Sequence, residues 1–218
     1  MKTRIVVDST ADILPEYLDQ IHTVPLTVSF GEEEYIDGVT MDHRTFYQKL
    51  IETDAMPSTS QASPAAFAEQ YDQAAADDEE VVVITISSKL SGTYQSAMIA
   101  AAGCSSVYVV DSENASVGCG ILVGLALRYL RDGMTASAIA EKLQEDKKKI
   151  VVIAVLDTLE YLKRGGRISK AAAFAGGLLN IKPVISIADG EIQLLGKARG
   201  SKMGNNLLAQ QIQKVGGI

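Results

Sequence analysis

The side chains in this sequence that can do chemistry are hydroxyls, and they stand where short apolar runs stop. Ser9 and Thr10 follow Ile5-Val6-Val7-Asp8, Ser87, Ser88, Ser91 and Thr93 follow the run at 81–86, and Ser112 follows the run at 107–110. A further group, Ser58-Thr59-Ser60-Gln61, lies just before Ser63-Pro64, which has the form of a helix start. A hydroxyl donates one hydrogen bond and accepts two, and the first turn of a helix has free N–H groups. Together they can hold a carboxylate or phosphate oxygen without a cationic clamp. Read singly, each of these residues is first a helix cap, worth about 1 kcal/mol. As a set they suggest a shared oxyanion-binding crest.

The machinery for turnover is missing from the sequence. No Gly-x-x-x-x-Gly-Lys-Ser/Thr loop, no Gly-x-Gly-x-x-Gly after a strand and no Gly-x-Ser-x-Gly elbow occurs. A nucleophilic serine needs a positioned base, and the two histidines, His22 and His43, do not fall at a hydroxyl-rich strand end. Asp8, Asp37, Asp42, Asp111 and Asp157 lack the tight spacing of a metal site and suit turns and caps. Arg164-Gly165-Gly166-Arg167 is either an anion- or partner-binding loop or a glycine turn with two solvated arginines. Two functional classes stay open on these residues. One is a binding protein for an acidic ligand; the other is an enzyme acting on a small phosphorylated metabolite, with the crest as its phosphate cradle.

The elements that must carry this crest alternate. Buried strands are predicted near 5–7, 81–86, 107–110 and 150–156, each a β-branched run of the kind covered on both faces. Between them lie helices beginning at Pro15, Asp42 and Ser63, one ending at Gly103, one over about 115–131 and one capped by Thr135 whose last turn holds a solvated Lys147-Lys148-Lys149 run. Residues 24–30 and 32–37 read as a hairpin, and 56–63 as a loop. Beyond 157 the texture changes to a short helix at 159–162, a small-residue helix at 171–179, a hairpin around Asp189-Gly190 and a last helix at 201–214. The fold class predicted is α/β, a mainly parallel sheet with helices on both faces over 1–156, plus a second, smaller α+β domain over 157–218.

Composition narrows the function. The chain has 218 residues, a net charge of −7, no Trp and four Phe, which argues against nucleic-acid binding through basic patches or aromatic stacking. Its largely apolar stretch at 115–127 is well under the ~20 residues that span a bilayer. Cys104 and Cys119 sit among apolar neighbours and read as buried, reduced thiols of a cytoplasmic protein. No metal or cofactor is expected.

Several blocks resemble the DegV family. They are Val7-Asp8-Ser9-Thr10-Ala11-Asp12, Val24-Pro25-Leu26, Tyr35-Ile36-Asp37-Gly38, Pro57-Ser58-Thr59-Ser60-Gln61, Leu90-Ser91-Gly92-Thr93-Tyr94-Gln95-Ser96-Ala97, Val110-Asp111-Ser112 and residues 159–168. The resemblance runs in register over nearly the whole chain. It implies a two-domain carrier, similar to the binding subunit of bacterial fatty acid kinase, that holds one long-chain fatty acid between its domains. Such a carrier presents the carboxylate to an ATP-dependent kinase partner and passes the acyl-phosphate to phospholipid synthesis, with transient membrane contact allowed and no turnover of its own. The family's carboxylate ligands map to Thr59 and Ser91, flanked by Ser60, Gly92 and Thr93; its Lys-x-Arg strand end maps to Arg199, a looser candidate for partner docking beside the Arg164 and Arg167 loop read above. The small-residue segments Ala171-Ala172-Ala173 and Gly176-Gly177-Leu178-Leu179 suit either room for an acyl chain or close packing of a helix on a sheet. Family members run beyond residue 218 and supply a His near the carboxylate from there. The second domain is therefore expected to be incomplete at its C-terminus, with Val184, Ile185 and Ile187 of a predicted strand and Leu207, Leu208 and Ile212 of a predicted helix left uncovered.

Overall fold

The structure, a computed structural model, describes residues 2–168 and 181–216. The chain divides into two compact units, Met1–Lys147 and Lys148–Ile218.

The first unit is built on a four-stranded, wholly parallel sheet of β1 (Lys2–Asp8), β2 (His22–Val24), β6 (Glu79–Thr85) and β7 (Val107–Asp111), in the order β2-β1-β6-β7. Because side chains alternate across a strand, the continuous apolar runs supply both faces. Val6, Val81 and Val83 pack with Phe67, Tyr71 and Ala74 of α2 (Pro64–Ala76) and Ala97 of α3 (Thr93–Ala100). The intervening Ile5, Val7, Val82 and Ile84 are also buried, on the side of α4 (Val117–Arg131) and α5 (Ala136–Asp146). Complete burial of a ring such as Phe67 stabilises by roughly 1.5–3 kcal/mol. The caps lie where the sequence placed them: Ser63 accepts from Ala66 N at 3.2 Å, Asp42 from Thr45 N at 2.7 Å and Thr135 from Ala138 N at 3.3 Å.

A small antiparallel sheet is attached to this frame. Its strands are β3 (Thr27–Phe30), β4 (Glu33–Ile36) and β5 (Pro57–Ser60), ordered β4-β3-β5, with α1 (His43–Glu52) closing over Val28, Phe30 and Met41. The polar segment read as a loop at 56–63 is thus in part a strand, with Thr59 opposite Val28. Its outer position in the sheet tolerates an exposed polar sequence and a leading proline.

The second unit carries β8 (Val152–Val155), β9 (Ile181–Ala188), β10 (Glu191–Arg199), a short α6 (Glu160–Arg164) and α7 (Gly200–Lys214). The sheet order is β10-β9-β8, antiparallel throughout. The run at 150–156 therefore does not extend the parallel sheet: β8 pairs with β9, and it belongs with the second unit. Asp189 and Gly190 both take positive φ, 50° and 78°, as a two-residue hairpin turn requires. A bulge between Leu194 and Gly196 bends β10, and Gly196 lies against Leu207 of α7, where an added Cβ would stand 2.7 Å from Cδ2. Val184, Ile185 and Ile187 are buried, so the expectation that they lie uncovered does not hold for the strand, while Leu207, Leu208 and Ile212 of α7 are partly buried. The small-residue helix expected at 171–179 lies outside the described residues.

Two further expectations are corrected. Both cysteines are free, but Cys104 is exposed, because it follows the turn at Gly103 that ends α3; Cys119 alone is buried. Lys147 is not solvated: it is buried, donates to the Asp111 carbonyl at 3.0 Å and pairs with Glu113 at 2.8 Å. Among the described residues no helix is long and apolar enough to cross a membrane.

Candidate functional site

The carboxyl end of β1 is the hub of the hydroxyl crest. Asp8 is 1% exposed. Its Oδ2 accepts from Ile86 N at 2.6 Å, and its Oδ1 accepts from Thr10 N at 3.0 Å and Thr10 Oγ1 at 2.5 Å. Burial raises the Asp8 carboxyl above its ordinary value, outweighing the hydrogen bonds that favour the charge. Ser9 Oγ accepts from Leu26 N at 3.0 Å and donates to Asp37 Oδ2 at 2.7 Å. Ser112 Oγ likewise donates to the Asn114 carbonyl at 3.1 Å and lies 3.2 Å from Cys119 Sγ. The crest is therefore not uniform. Ser9, Thr10 and Ser112 spend their protons inside the fold and have none for a ligand.

The hydroxyls that remain are on β5 and on the turn before α3. Ser58, Thr59 and Ser60 are exposed, and their side chains have no hydrogen-bond partner among the described residues. Ser91 Oγ lies 2.9 Å from Thr93 Oγ1 and accepts from Thr93 N at 3.3 Å. Thr93 is fully buried and Ser91 is not. With the Thr93 proton directed to Ser91, the buried hydroxyl is satisfied and Ser91 keeps its own proton to donate outward.

Gln61 joins the two groups. Two residues beyond Thr59, it donates from Nε2 to Ser96 Oγ of α3 at 2.8 Å, and its amide lies on Gly92. A Cβ at Gly92 would stand 2.8 Å from Gln61 Cδ and closer still to Oε1. The structure thus holds Gln61, the residue after Ser60, against Gly92 and Ser96, which ties the end of the Thr59 strand to the Ser91-Gly92-Thr93 turn through a Gln61–Ser96 clip that the sequence alone did not single out. The Ser91-Gly92-Thr93 spacing was visible, and Ser96 lay in the same block, but nothing in the sequence pointed to its bond with Gln61.

Arg164, Arg167 and Arg199 are in the second unit. Arg164 pairs with Glu160 at 2.5 Å, and Arg167 Nη1 donates to the Gly165 carbonyl at 2.5 Å. Arg199, at the junction of β10 and α7, is exposed and makes no side-chain ion pair or hydrogen bond among the described residues. His43 starts α1 and His22 starts β2; neither hydrogen-bonds to a hydroxyl of the crest among the described residues. Among those residues no cluster of three or more His, Cys, Asp or Glu is placed to hold a metal ion. Chemically, the locality offers neutral O–H donors and the first-turn N–H groups of α3, a set suited to orienting an anionic head group.

Comparison with known proteins agrees with this architecture. The family model described as "Uncharacterised protein, DegV family" matches residues 2–217. A DegV domain-containing protein of Caldanaerobacter subterraneus subsp. tengcongensis is 40% identical over 206 residues, covering 92% of this chain and 73% of the relative. Among solved structures, a DegV family protein from Thermus thermophilus, described by its fatty acid binding, superposes with a TM-score of 0.88 at 37% identity over 99% of this chain and 78% of that one. A stearic acid-binding protein from Eubacterium ventriosum superposes with a TM-score of 0.90 at 33% identity, over 99% of this chain and 76% of that one. The hydroxyl-bearing strand ends, the parallel sheet and these likenesses together place the chain in the DegV family.

Proposed function

We propose that this protein is a carrier that binds one long-chain fatty acid, with Thr59 and Ser91 donating to its carboxylate and Ser60, Gly92 and Thr93 shaping the surrounding turn. The observation that supports this reading is that β5 and the turn before α3, tied by the Gln61–Ser96 bond, each carry hydroxyls with protons to spare, in a chain whose structural relatives are described as fatty-acid binding. Burial of about ten methylenes contributes roughly 8 kcal/mol, of which ordering and lost translation consume several. Each hydroxyl bond to the charged head adds about 1.5–3 kcal/mol at most and mainly fixes orientation.

The carrier then presents the carboxylate to an ATP-dependent kinase partner, which transfers the phosphoryl group and leaves an acyl-phosphate for phospholipid synthesis in the cytoplasm. The partner's docking surface includes Arg199, which is exposed and uncommitted among the described residues, with Arg164 and Arg167 beside the α6 turn in sequence. Transient contact with a membrane would serve loading. The test is displacement of a fluorescent fatty acid from the wild type and from Thr59→Ala, Ser91→Ala and the double variant. Each single change should weaken binding with the fold retained. Unchanged affinity in the double variant would reject the head-group assignment, and binding of a sugar phosphate in place of any fatty acid would favour an enzyme of phosphorylated metabolites.

A further inference from the structure

The head-group residues Thr59 and Ser91 come from different parts of the first unit, one from the small antiparallel sheet and one from the turn after β6. Their separation must be fixed by whatever ties those parts together. Besides the Gln61–Ser96 clip, two consecutive residues at the end of β1 do so. Asp8 takes the Ile86 N–H at 2.6 Å, and Ile86 leads into Ser87, whose carbonyl accepts from Leu90 N at 3.0 Å and Ser91 N at 3.1 Å. Ser9 takes hold of the small sheet. Its N stays with the parallel sheet, donating to the Val24 carbonyl of β2 at 3.1 Å, while its Oγ accepts from Leu26 N at 3.0 Å and donates to Asp37 Oδ2 at 2.7 Å, and Asp37 N closes the ring on the Leu26 carbonyl at 3.0 Å.

Leu26 immediately precedes β3 and Asp37 immediately follows β4, so one hydroxyl pins the two strands at the same end of the sheet. That end is also where Ser60 pairs with Thr27, with Thr59 one residue further along. Ser9 has its proton on Asp37 and so has nothing to donate to a carboxylate. We infer that Ser9 and Asp37 form a positioning pair that holds the Thr59 strand at its working distance from the Ser91 turn, with Ser9 acting through Thr59 and never touching the ligand. The inference rests on the fatty-acid reading above and adds a residue pair that sets head-group recognition.

A residue that positions head-group donors affects a carboxylate and spares a ligand whose head needs no such donors. The experiment measures affinity for an eighteen-carbon fatty acid and for the fatty alcohol of the same chain, in the wild type, Ser9→Ala, Asp37→Ala, Asp37→Asn and Thr59→Ala, with a thermal melt of each. Ser9→Ala should lose about tenfold for the acid, the equivalent of one weakened hydrogen bond to a charged group, and stay within about twofold for the alcohol. Asp37→Asn keeps an acceptor for Ser9 and should restore near wild-type selectivity; Asp37→Ala should repeat the Ser9→Ala result and serves in its place if that variant does not fold. Equal losses for acid and alcohol would overturn the inference in favour of a merely structural bond. Loss of acid affinity in Thr59→Ala with none in Ser9→Ala or Asp37→Ala would overturn it and leave the head-group reading standing. No loss in Thr59→Ala would reject that reading itself.

Discussion

Replacing Gly92 with alanine puts a methyl group where the Gln61 amide now lies. The new Cβ would stand 2.8 Å from Gln61 Cδ, inside any normal contact, while the Gly92 backbone, at φ −74° and ψ 2°, accepts an L-residue without strain. The side chain of Gln61 is flexible, so it swings away and gives up its 2.8 Å bond to Ser96, whose side chain is fully buried. Losing that bond and stranding the hydroxyl costs about 1–3 kcal/mol. Alanine at a compatible backbone returns about 0.4–1 kcal/mol by restricting the unfolded chain. The net loss is about 1 kcal/mol, a fall of roughly 2–4 °C in Tm for a chain of this size. In a Gln61→Ala background the obstruction is gone and only the favourable part remains, so the same substitution should become neutral or stabilising. The assay is a double-mutant cycle by urea denaturation, and the coupling expected is about 1–2 kcal/mol. An equal cost in both backgrounds would refute the clip between β5 and α3.

Four other outcomes are expected. Gly120→Ala drives a Cβ into the backbone carbonyl of Asp12, with the carbonyl carbon 3.1 Å away; a backbone atom cannot swing aside, so chemical denaturation should show a loss of about 1–3 kcal/mol with no rescue from any change of the Asp12 side chain. In the native protein Ellman's reagent should modify one thiol per chain, the exposed Cys104, because burial pushes Cys119 up to about 12; fast labelling of both thiols without denaturant would contradict this. Asp8 has a folded-state value raised above its ordinary 3.8, so the folded chain binds this proton more tightly than the unfolded one, and stability from this group falls as pH rises from 3.8 through the folded value. The stability gap between wild type and Asp8→Asn, from denaturation at a series of pH values, should therefore narrow across that window; a constant gap would contradict the burial argument. Finally, the isolated chain given ATP, magnesium and fatty acid should form no acyl-phosphate, as followed by hydroxamate trapping, and ATP consumption by pure protein would sink the carrier-only reading.

The parallel core was legible because strands covered on both faces leave a plain signature, an unbroken β-branched run closed by a polar residue. The same signature misled at β8. Val152–Val155 has the composition of its parallel counterparts, and composition does not encode strand direction; only the pairing of Val155 with Val184 does. At β5 the difficulty was the opposite, since Pro57-Ser58-Thr59-Ser60 carries no apolar face and takes its strand geometry from β3. For the crest, the sequence marked where hydroxyls gather but not which were free. That depends on partners far along the chain, such as Asp37 for Ser9, 28 residues away, and Ser96 for Gln61, 35 residues away. Lys147 followed the same rule, drawn out of solvent by a carbonyl 36 residues earlier.

Whether this fold holds a fatty acid is read out by native mass spectrometry of the purified protein before and after delipidation. A single added mass matching one long-chain fatty acid per chain is expected, removed by organic extraction and restored by adding that acid back. A bare chain that takes up no fatty acid after delipidation, although folded by circular dichroism, would contradict it.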